Sequence, residues 1–479
     1  MEGSIKKNYY LIFNNIMTYL PSRILIILNS VIIVPLFAYF LDEKQISIYL
    51  IALQILNLIC TCSFDWITKA VLRFYEKYNI KQALSTFFSS IFWLSVIVYI
   101  FIIICYFAFK GLILERFAVD NMSFLFTTLL VIPCGIRQFL YQVLRVRNQA
   151  KLYTLSILLY QLSFIVLFFA ITRIVPNAHA VLFAMLVAII FIDIYIIRSI
   201  YLNYKIEYRI DTRILSEVLK YALPLIITNT SYWAILNYSK LIFQNMHEFL
   251  NTAITGISWM LSGNIIQPLV TVFTFASFPV LIRKFELKRL YKSYFTNILQ
   301  LYCFLLLPIL CIFCYFSKEI VYIMLPKNYE MVSVMLPFFA LGIFLHEFMK
   351  LINIKYHLKN RTYIEMLFGV SIAVGAYLLN IKMIILYSVL GAAVALFLSE
   401  ALLVFINLVV KFRSFDYLNY TKILKTFLLL AFIGIILLGA VQFIFMPFMA
   451  NKYLYITKIF IYVISYYAVS YRLRDKILA

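Results

Sequence analysis

Runs of apolar residues long enough to cross a lipid bilayer recur from one end of this chain to the other, and no other feature constrains its fold as tightly. A hydrocarbon core about 30 Å thick takes about 20 apolar residues at a helical rise of about 1.5 Å. On that measure spans fall near 10–40, 46–66, 84–109, 122–142, 152–172, 179–201 and 218–240, then near 253–279, 294–315, 331–350, 362–380, 384–410, 424–446 and 453–471. Composition agrees: 65% of the 479 residues are hydrophobic, against about 45–50% in soluble domains. The expectation is an all-α polytopic membrane protein of about fourteen transmembrane helices.

Lysine and arginine test this count independently, because cytoplasmic loops concentrate them. Thirty of the 42 fall in alternate loops that share one side; Lys69, Arg73 and Lys77 lie in one such loop, Arg283, Lys284 and Lys288 in another. Nine fall on the opposite side, among them Lys110, Arg173, Lys240 and Lys382, and Arg23, Arg137 and Lys458 lie within spans. Both termini are therefore expected in the cytoplasm. The net charge of +22 reads as a sorting signal with affinity for anionic lipid head groups, each surface cation being worth about 1 kcal/mol there. It calls for no nucleic acid. The opening residues carry Lys6 and Lys7, but no small-residue cleavage site follows, so the first span is read as retained and not as a signal peptide.

The longest loop, 202–216, separates six spans from the next six, which suggests two six-helix halves, 1–204 and 205–415, followed by two appended helices in 416–479. No loop is long enough for a catalytic domain, and none carries a phosphate-cradling glycine motif or a nucleophile–base order, so no enzyme is expected. The seven cysteines all sit in apolar runs. Cys60-x-Cys62 and Cys311-x-x-Cys314 read as packing residues, since no cluster of histidines and acids completes a metal shell. His346 and His357 flank a cytoplasmic loop. No cofactor is expected; transport would draw on an ion gradient, the membrane potential or the substrate's own gradient.

Polar residues inside the spans are the candidates for function. In the first span Asn15, Thr18, Ser22 and Asn29 share an arc of about 60°, with Pro21 and Pro35 interrupting the helix. This stripe faces either neighbouring helices or a wet cavity. The seventh span, YALPLIITNTSYWAILNYSKLIF from Tyr221 to Phe243, has the same design. Tyr221, Pro224, Thr228, Ser231, Tyr232 and Ser239 share an arc of about 100°, and Asn229, Trp233, Asn237 and Lys240 occupy other faces. A helix polar on several sides is not lipid-exposed there.

Ionisable groups at membrane depth cost about 2.5–3.5 kcal/mol on insertion scales and are functional candidates by default. Asp65 stands four residues from Lys69 and can pair with it on its own helix; Asp193, five residues from Arg198, either snorkels or pairs inward; Glu400 has no cation within a turn and calls for a proton, a cation or an interhelical partner. All three are candidates for ion coupling. Arg23 and Arg137 offer forked donors matched to a phosphate; the alternative is that buried acids such as Asp65 or Glu400 neutralise them.

Several passages resemble, in order, the polysaccharide and O-antigen flippases of the multidrug/oligosaccharidyl-lipid/polysaccharide exporter superfamily. They are LFAYFLDEKQISIYLIALQIL and SFDWITKAVLRF in the first spans, the Tyr221–Phe243 helix, TAITGISWM after it, and IMLPKNYEMVSVMLPFFALGIF. Ile46-Ser47 stands where the family usually has an aromatic residue and glycine, and Ser239-Lys240 where it has Asp-Arg; Arg73 matches the family's arginine after span two. The resemblance implies a flippase of a bacterial inner membrane that turns polyprenyl-diphosphate-linked oligosaccharides outward by alternating access of two halves around a cavity. Its lining would include the cations Arg23, Arg73, Arg137 and Lys240 with Asn15, Ser22, Asn29, Thr228, Ser231 and Tyr232, the coupling ion would be H+ or Na+, and membrane lipids, a polymerase and chain-length machinery would be partners. The alternative within the superfamily is a multidrug or small-solute antiporter.

Overall fold

The computed structural model describes residues 2–80, 82–147, 149–200, 210–286, 291–359, 361–411, 420–445 and 452–472; side chains are described from Leu20 onward, apart from 275–279, 282–292, 408–420 and single positions. All regular structure among these residues is helical. The helix α1 (Glu2–Phe40) runs through both Pro21 and Pro35 without a break. Asp42 caps α2 (Glu43–Cys60), accepting the Gln45 amide at 2.7 Å, and α2 continues through a π-helical turn, Thr61–Asp65, into α3 (Trp66–Ile80). This rod outruns the expected span 46–66 because Lys69, Arg73 and Lys77 ride on helix and not on a loop.

Next come α4 (Leu84–Ala108), the short α5 (Lys110–Arg116), α6 (Asn121–Val146), α7 (Ala150–Thr172) and α8 (Ala178–Ile200). They are followed by α9 (Thr212–Asn245), α10 (Phe249–Glu286), α11 (Tyr291–Tyr315), the short α12 (Ser317–Met324), α13 (Val332–Leu358), α14 (Thr362–Lys411), α15 (Tyr420–Ile444) and α16 (Lys452–Arg472). Among the described residues twelve helices are long and apolar enough to cross a membrane. One of them, α14, contains a non-helical break at Ser388 (φ 47°, ψ −126°) and so makes two passes; α9, at 34 residues, is long enough but too polar to be among the twelve. With these two the fourteen expected spans are all accounted for.

The break in α14 is displaced. Hydropathy puts it at 381–383, with Lys382 in a loop; the structure puts it at Ser388 and leaves Lys382 helical. The chain folds back so tightly that a Cβ on Gly391 would lie 1.9 Å from the Met383 carbonyl oxygen. A hydropathy profile registers Lys382 and is blind to the missing side chain that makes the turn.

The chain divides into two compact units, one of Met1–Pro35, Ile257–Leu358 and Lys382–Ala479, the other of Leu36–Gly256 and Lys359–Ile381. In the first, α11 packs on α13 and α15, and α15 on α16. The Tyr302 hydroxyl donates to the Phe344 carbonyl at 2.6 Å, and Gln300 Nε2 donates to Thr426 Oγ1 at 2.9 Å. Lys458, a cation within the last span, reaches Gln442 Oε1 of α15 at 3.4 Å. In the second unit α8 packs on α6 and α7, and α2 on α6. Ala180, Ala184 and Ala188 repeat every four residues and are buried, which lets helices approach closely. On α4, Ile97, Phe101 and Ile104 are more than half exposed, as a bilayer-facing surface allows.

At the mouth of α6, Asp120 Oδ2 meets His179 Nε2 of α8 at 2.6 Å. Partial burial pushes the Asp120 carboxyl up, but Ser123 and His179 outweigh it and hold it below its usual value. A carboxyl held down in the folded state adds stability above its unfolded pKa and loses it as pH falls through the folded value. Asp120→Asn should therefore lower the thermal unfolding temperature in detergent at neutral pH, with the difference from wild type shrinking on acidification; a difference that grows in acid would contradict this. Gly391→Ala should lose about 1–3 kcal/mol to the backbone clash. Gly375→Ala, where a Cβ meets nothing within 4 Å, should be neutral or gain up to about 1 kcal/mol of helix propensity.

Candidate functional site

Within the second unit the polar faces of α9 have specific partners. Lys69 Nζ of α3 donates to Asn229 Oδ1 at 2.7 Å. The Tyr232 hydroxyl donates to Glu365 Oε1, early in α14, at 3.4 Å, and is 5% exposed. Toward the start of α9, Tyr221 packs edge-on against Phe74 at 5.7 Å and feels the charges of both Arg73 and Glu365. Lower still, Glu217 takes Lys77 and the Tyr78 hydroxyl, the latter at 2.9 Å; burial first, and this bond second, push the Tyr78 hydroxyl's pKa up. Arg73, Glu365, Tyr221 and Tyr232 thus share one polar seam along α3, α9 and α14.

Other α9 groups turn to their own backbone. Thr228 Oγ1 donates to the Pro224 carbonyl at 2.9 Å, Ser231 Oγ to the Ile227 carbonyl at 2.9 Å, and Asn237 Nδ2 to the Trp233 carbonyl at 2.7 Å. The Pro224 ring removes an N–H from the ladder, and these bonds occupy carbonyls along that stretch. Lys240, expected beyond the end of the span, lies inside the helix and is fully enclosed.

The second concentration of charge lies among α6, α7 and α8. The Arg137 guanidinium stacks on the Tyr160 ring at 4.3 Å. Asp193 of α8 is 4% exposed and feels the Arg137 charge. Neither of its carboxylate oxygens has a hydrogen-bond partner among the described residues, and neither does Arg137 Nη1. Arg198, five residues beyond Asp193, is exposed; the cation whose charge reaches Asp193 is Arg137 of α6. Close by, an apolar cavity of about 500 Å³ is lined by Phe64, Phe88, Phe92, Tyr99, Gly135 and Phe139. The π-helical turn carries Phe64 into it, over Gly135, where a Cβ would meet that ring at 2.2 Å. Asp65, on the same turn, is half-buried.

In the first unit Ser22 is fully buried, Arg23 is 9% exposed and Asn29 is half-buried on α1; Asn15 lies outside the residues whose side chains are described. Glu400 has an interhelical partner: His346 Nδ1 stands 2.8 Å from its Oε1, and the two side chains are 1% and 0% exposed. His346 is a buried residue in the middle of α13 and does not flank a loop. Sequence reasoning set His346 at a loop and did not single out Glu365. An acid with no cation in its own helix asks for a partner elsewhere, but 54 and 133 residues of separation put these pairs beyond any local pattern.

Residues 76–334 match the model of a family described as polysaccharide biosynthesis protein. No curated protein matches the chain. Among solved structures, the chain is similar to the lipid II flippase MurJ in an inward closed conformation, at 16% identity and a TM-score of 0.66 over 97% of this chain and 100% of that one. It is also similar to the MATE multidrug transporter DinF-BH, at 12% identity and a TM-score of 0.59 over 85% and 95%. A third likeness is to a MOP superfamily transporter from Pyrococcus furiosus, at 15% identity and a TM-score of 0.55 over 84% and 95%. At these identities the likeness establishes a shared fold.

The Arg137–Asp193 pair can be tested apart from any transport. In a double-mutant cycle of Arg137→Met and Asp193→Leu, followed by unfolding in detergent, the coupling should reach about 1–3 kcal/mol, and the double variant should be more stable than Arg137→Met alone, which leaves a buried carboxylate uncompensated. Strict additivity would show that the two charges do not act on each other.

Proposed function

The chain belongs to the polysaccharide biosynthesis protein family, and on that footing we propose that it is a flippase for polyprenyl-diphosphate-linked oligosaccharide repeat units, of the O-antigen, capsule or similar kind. It would carry them from the cytoplasmic to the outer leaflet of a bacterial inner membrane, with both termini in the cytoplasm, by alternating access of two six-helix halves. What most supports this reading is the family match joined to a fold shared with a lipid II flippase over nearly the whole chain.

The buried groups suit such a cargo. A diphosphate needs fixed cations, and a guanidinium held over an aromatic ring, as Arg137 is over Tyr160, presents its remaining donors with less further ordering. Arg23, Arg73 and Lys240 are the other cations assigned to the head group. Thr228 and Ser231 have given their protons to backbone carbonyls, so their lone pairs are left to accept from sugar hydroxyls; Asn15, Ser22, Asn29 and Tyr232 complete the assigned lining. An ion gradient, H+ or Na+, supplies the energy through Asp65, Asp193 or Glu400. Polymerase and chain-length proteins would take over the product.

The second reading is an antiporter of drugs or small solutes. It is weakened by the charge balance, since cationic drugs call for acids in excess at the binding site and the groups assigned here are mainly basic. Reconstituted protein should translocate a fluorescent polyprenyl-diphosphate oligosaccharide and leave cationic dyes unmoved. Arg23→Ala and Arg137→Ala should each reduce this by about tenfold or more, since a charge-assisted hydrogen bond is worth about 1.5–3 kcal/mol, while the protein still reaches the membrane. Unchanged translocation in both variants would sink the assignment of the head-group cations, and dye transport in place of lipid transport would favour the antiporter.

A further inference from the structure

In the first unit α13 and the second pass of α14 approach closely at one point. Gly342 has no side chain, and a Cβ there would stand 3.1 Å from Leu396 Cγ and 3.5 Å from Phe397 Cα. One helical turn beyond Gly342 is His346, and one turn beyond Leu396 is Glu400. The close approach therefore sets imidazole against carboxylate, Nδ1 to Oε1 at 2.8 Å, with both side chains at most 1% exposed. Ile343, Phe344, Met349, Leu396 and Leu403 around them are buried as well.

We propose that His346 and Glu400 form one proton-binding site, loaded and emptied once per transport cycle. The inference deepens the transporter reading and rests on it for the cycle, though not for the binding of the proton. With neutral imidazole and ionised carboxylate the pair carries one negative charge. Adding one proton, whether it sits on Nδ1 or on the carboxylate oxygen, brings the net charge to zero. Within the apolar interior the two forms thus differ by one uncompensated charge, which is costly at membrane depth. When water reaches the pair the charged form is solvated and the proton leaves to that side.

On α13, Glu347 is held by Lys350 at 2.8 Å. On α11, Tyr302 has committed its hydroxyl to the Phe344 carbonyl. On α15, Thr426 Oγ1 donates to the Lys422 carbonyl, and Phe427 packs near Phe344. Helix α10 presents Ser258 to Met335 of α13 and carries no titratable residue over 257–274. The short α12, also against α13, carries Lys318, which is exposed, and Glu319. Farther along α14, Ser399 bonds its own backbone and Asn407 is uncharged.

The test uses the full-length protein in two arms. In the first, infrared difference spectra between acid and alkaline pH, with NMR of isotope-labelled histidine among the four in the chain, should show a carboxyl band and a histidine signal that titrate together. Glu400→Gln should abolish the band and shift the His346 signal, and His346→Asn should displace the band. In the second, liposomes with an imposed pH gradient should speed translocation of a fluorescent polyprenyl-diphosphate oligosaccharide by the wild type. Glu400→Gln and His346→Asn should lose this stimulation while reaching the liposome membrane in wild-type amounts. A carboxyl band that survives in Glu400→Gln, full stimulation in both variants, or stimulation by a sodium gradient alone would overturn the proposal. Should the wild type move no lipid-linked oligosaccharide, the flippase reading fails, and the spectroscopic arm still decides the proton site.

Discussion

A polar or charged side chain surrounded by hydrocarbon must find its partner inside the protein, because no water is there to supply one. This requirement shapes the present structure more than apolar packing does, since the apolar residues are as comfortable against lipid as against each other. Helix α4 makes the point by contrast: its Ile97, Phe101 and Ile104 stay largely exposed. The helices with polar residues are drawn together wherever those residues can be satisfied.

Helix α9 carries the largest share of this burden. Its polarity on several faces makes sense once the neighbours are known. Asn229 meets Lys69 of α3, Tyr232 meets Glu365 of α14, and Thr228, Ser231 and Asn237 bond the backbone of α9 itself. Part of the polarity thus holds helices in register and part supports a helix with a proline inside it.

Buried charge is distributed in two pairings of different character. Arg137 lies over the Tyr160 ring in the second unit and acts on the buried Asp193, with donor and acceptor atoms still unspent. His346 and Glu400 in the first unit are in direct contact and closed off from solvent. The former arrangement suits recognition of an anion through Arg137, whose guanidinium stays charged at any physiological pH. The latter suits carriage of a proton, because its charge changes by one unit when a single proton binds.

The sequence by itself determined the number of passes and their composition. Hydrophobic length is a local property, and about 20 apolar residues specify a membrane helix without reference to anything distant. It also singled out Arg23, Asp65, Arg137, Asp193 and Glu400 as groups in need of an explanation. Tertiary structure alone decided who explains them. Arg198 stands five residues from Asp193, yet the charge that reaches Asp193 is that of Arg137 on another helix; spacing offered nothing to Glu400, and packing gave His346. The fold-back at Ser388 was hidden for the same reason, since it depends on Gly391 meeting Met383 after the chain has turned. Periodicity shows which face of a helix is polar, but the identity of the neighbour on that face is fixed by how distant helices dock, and close docking depends on small residues whose effect appears only in three dimensions.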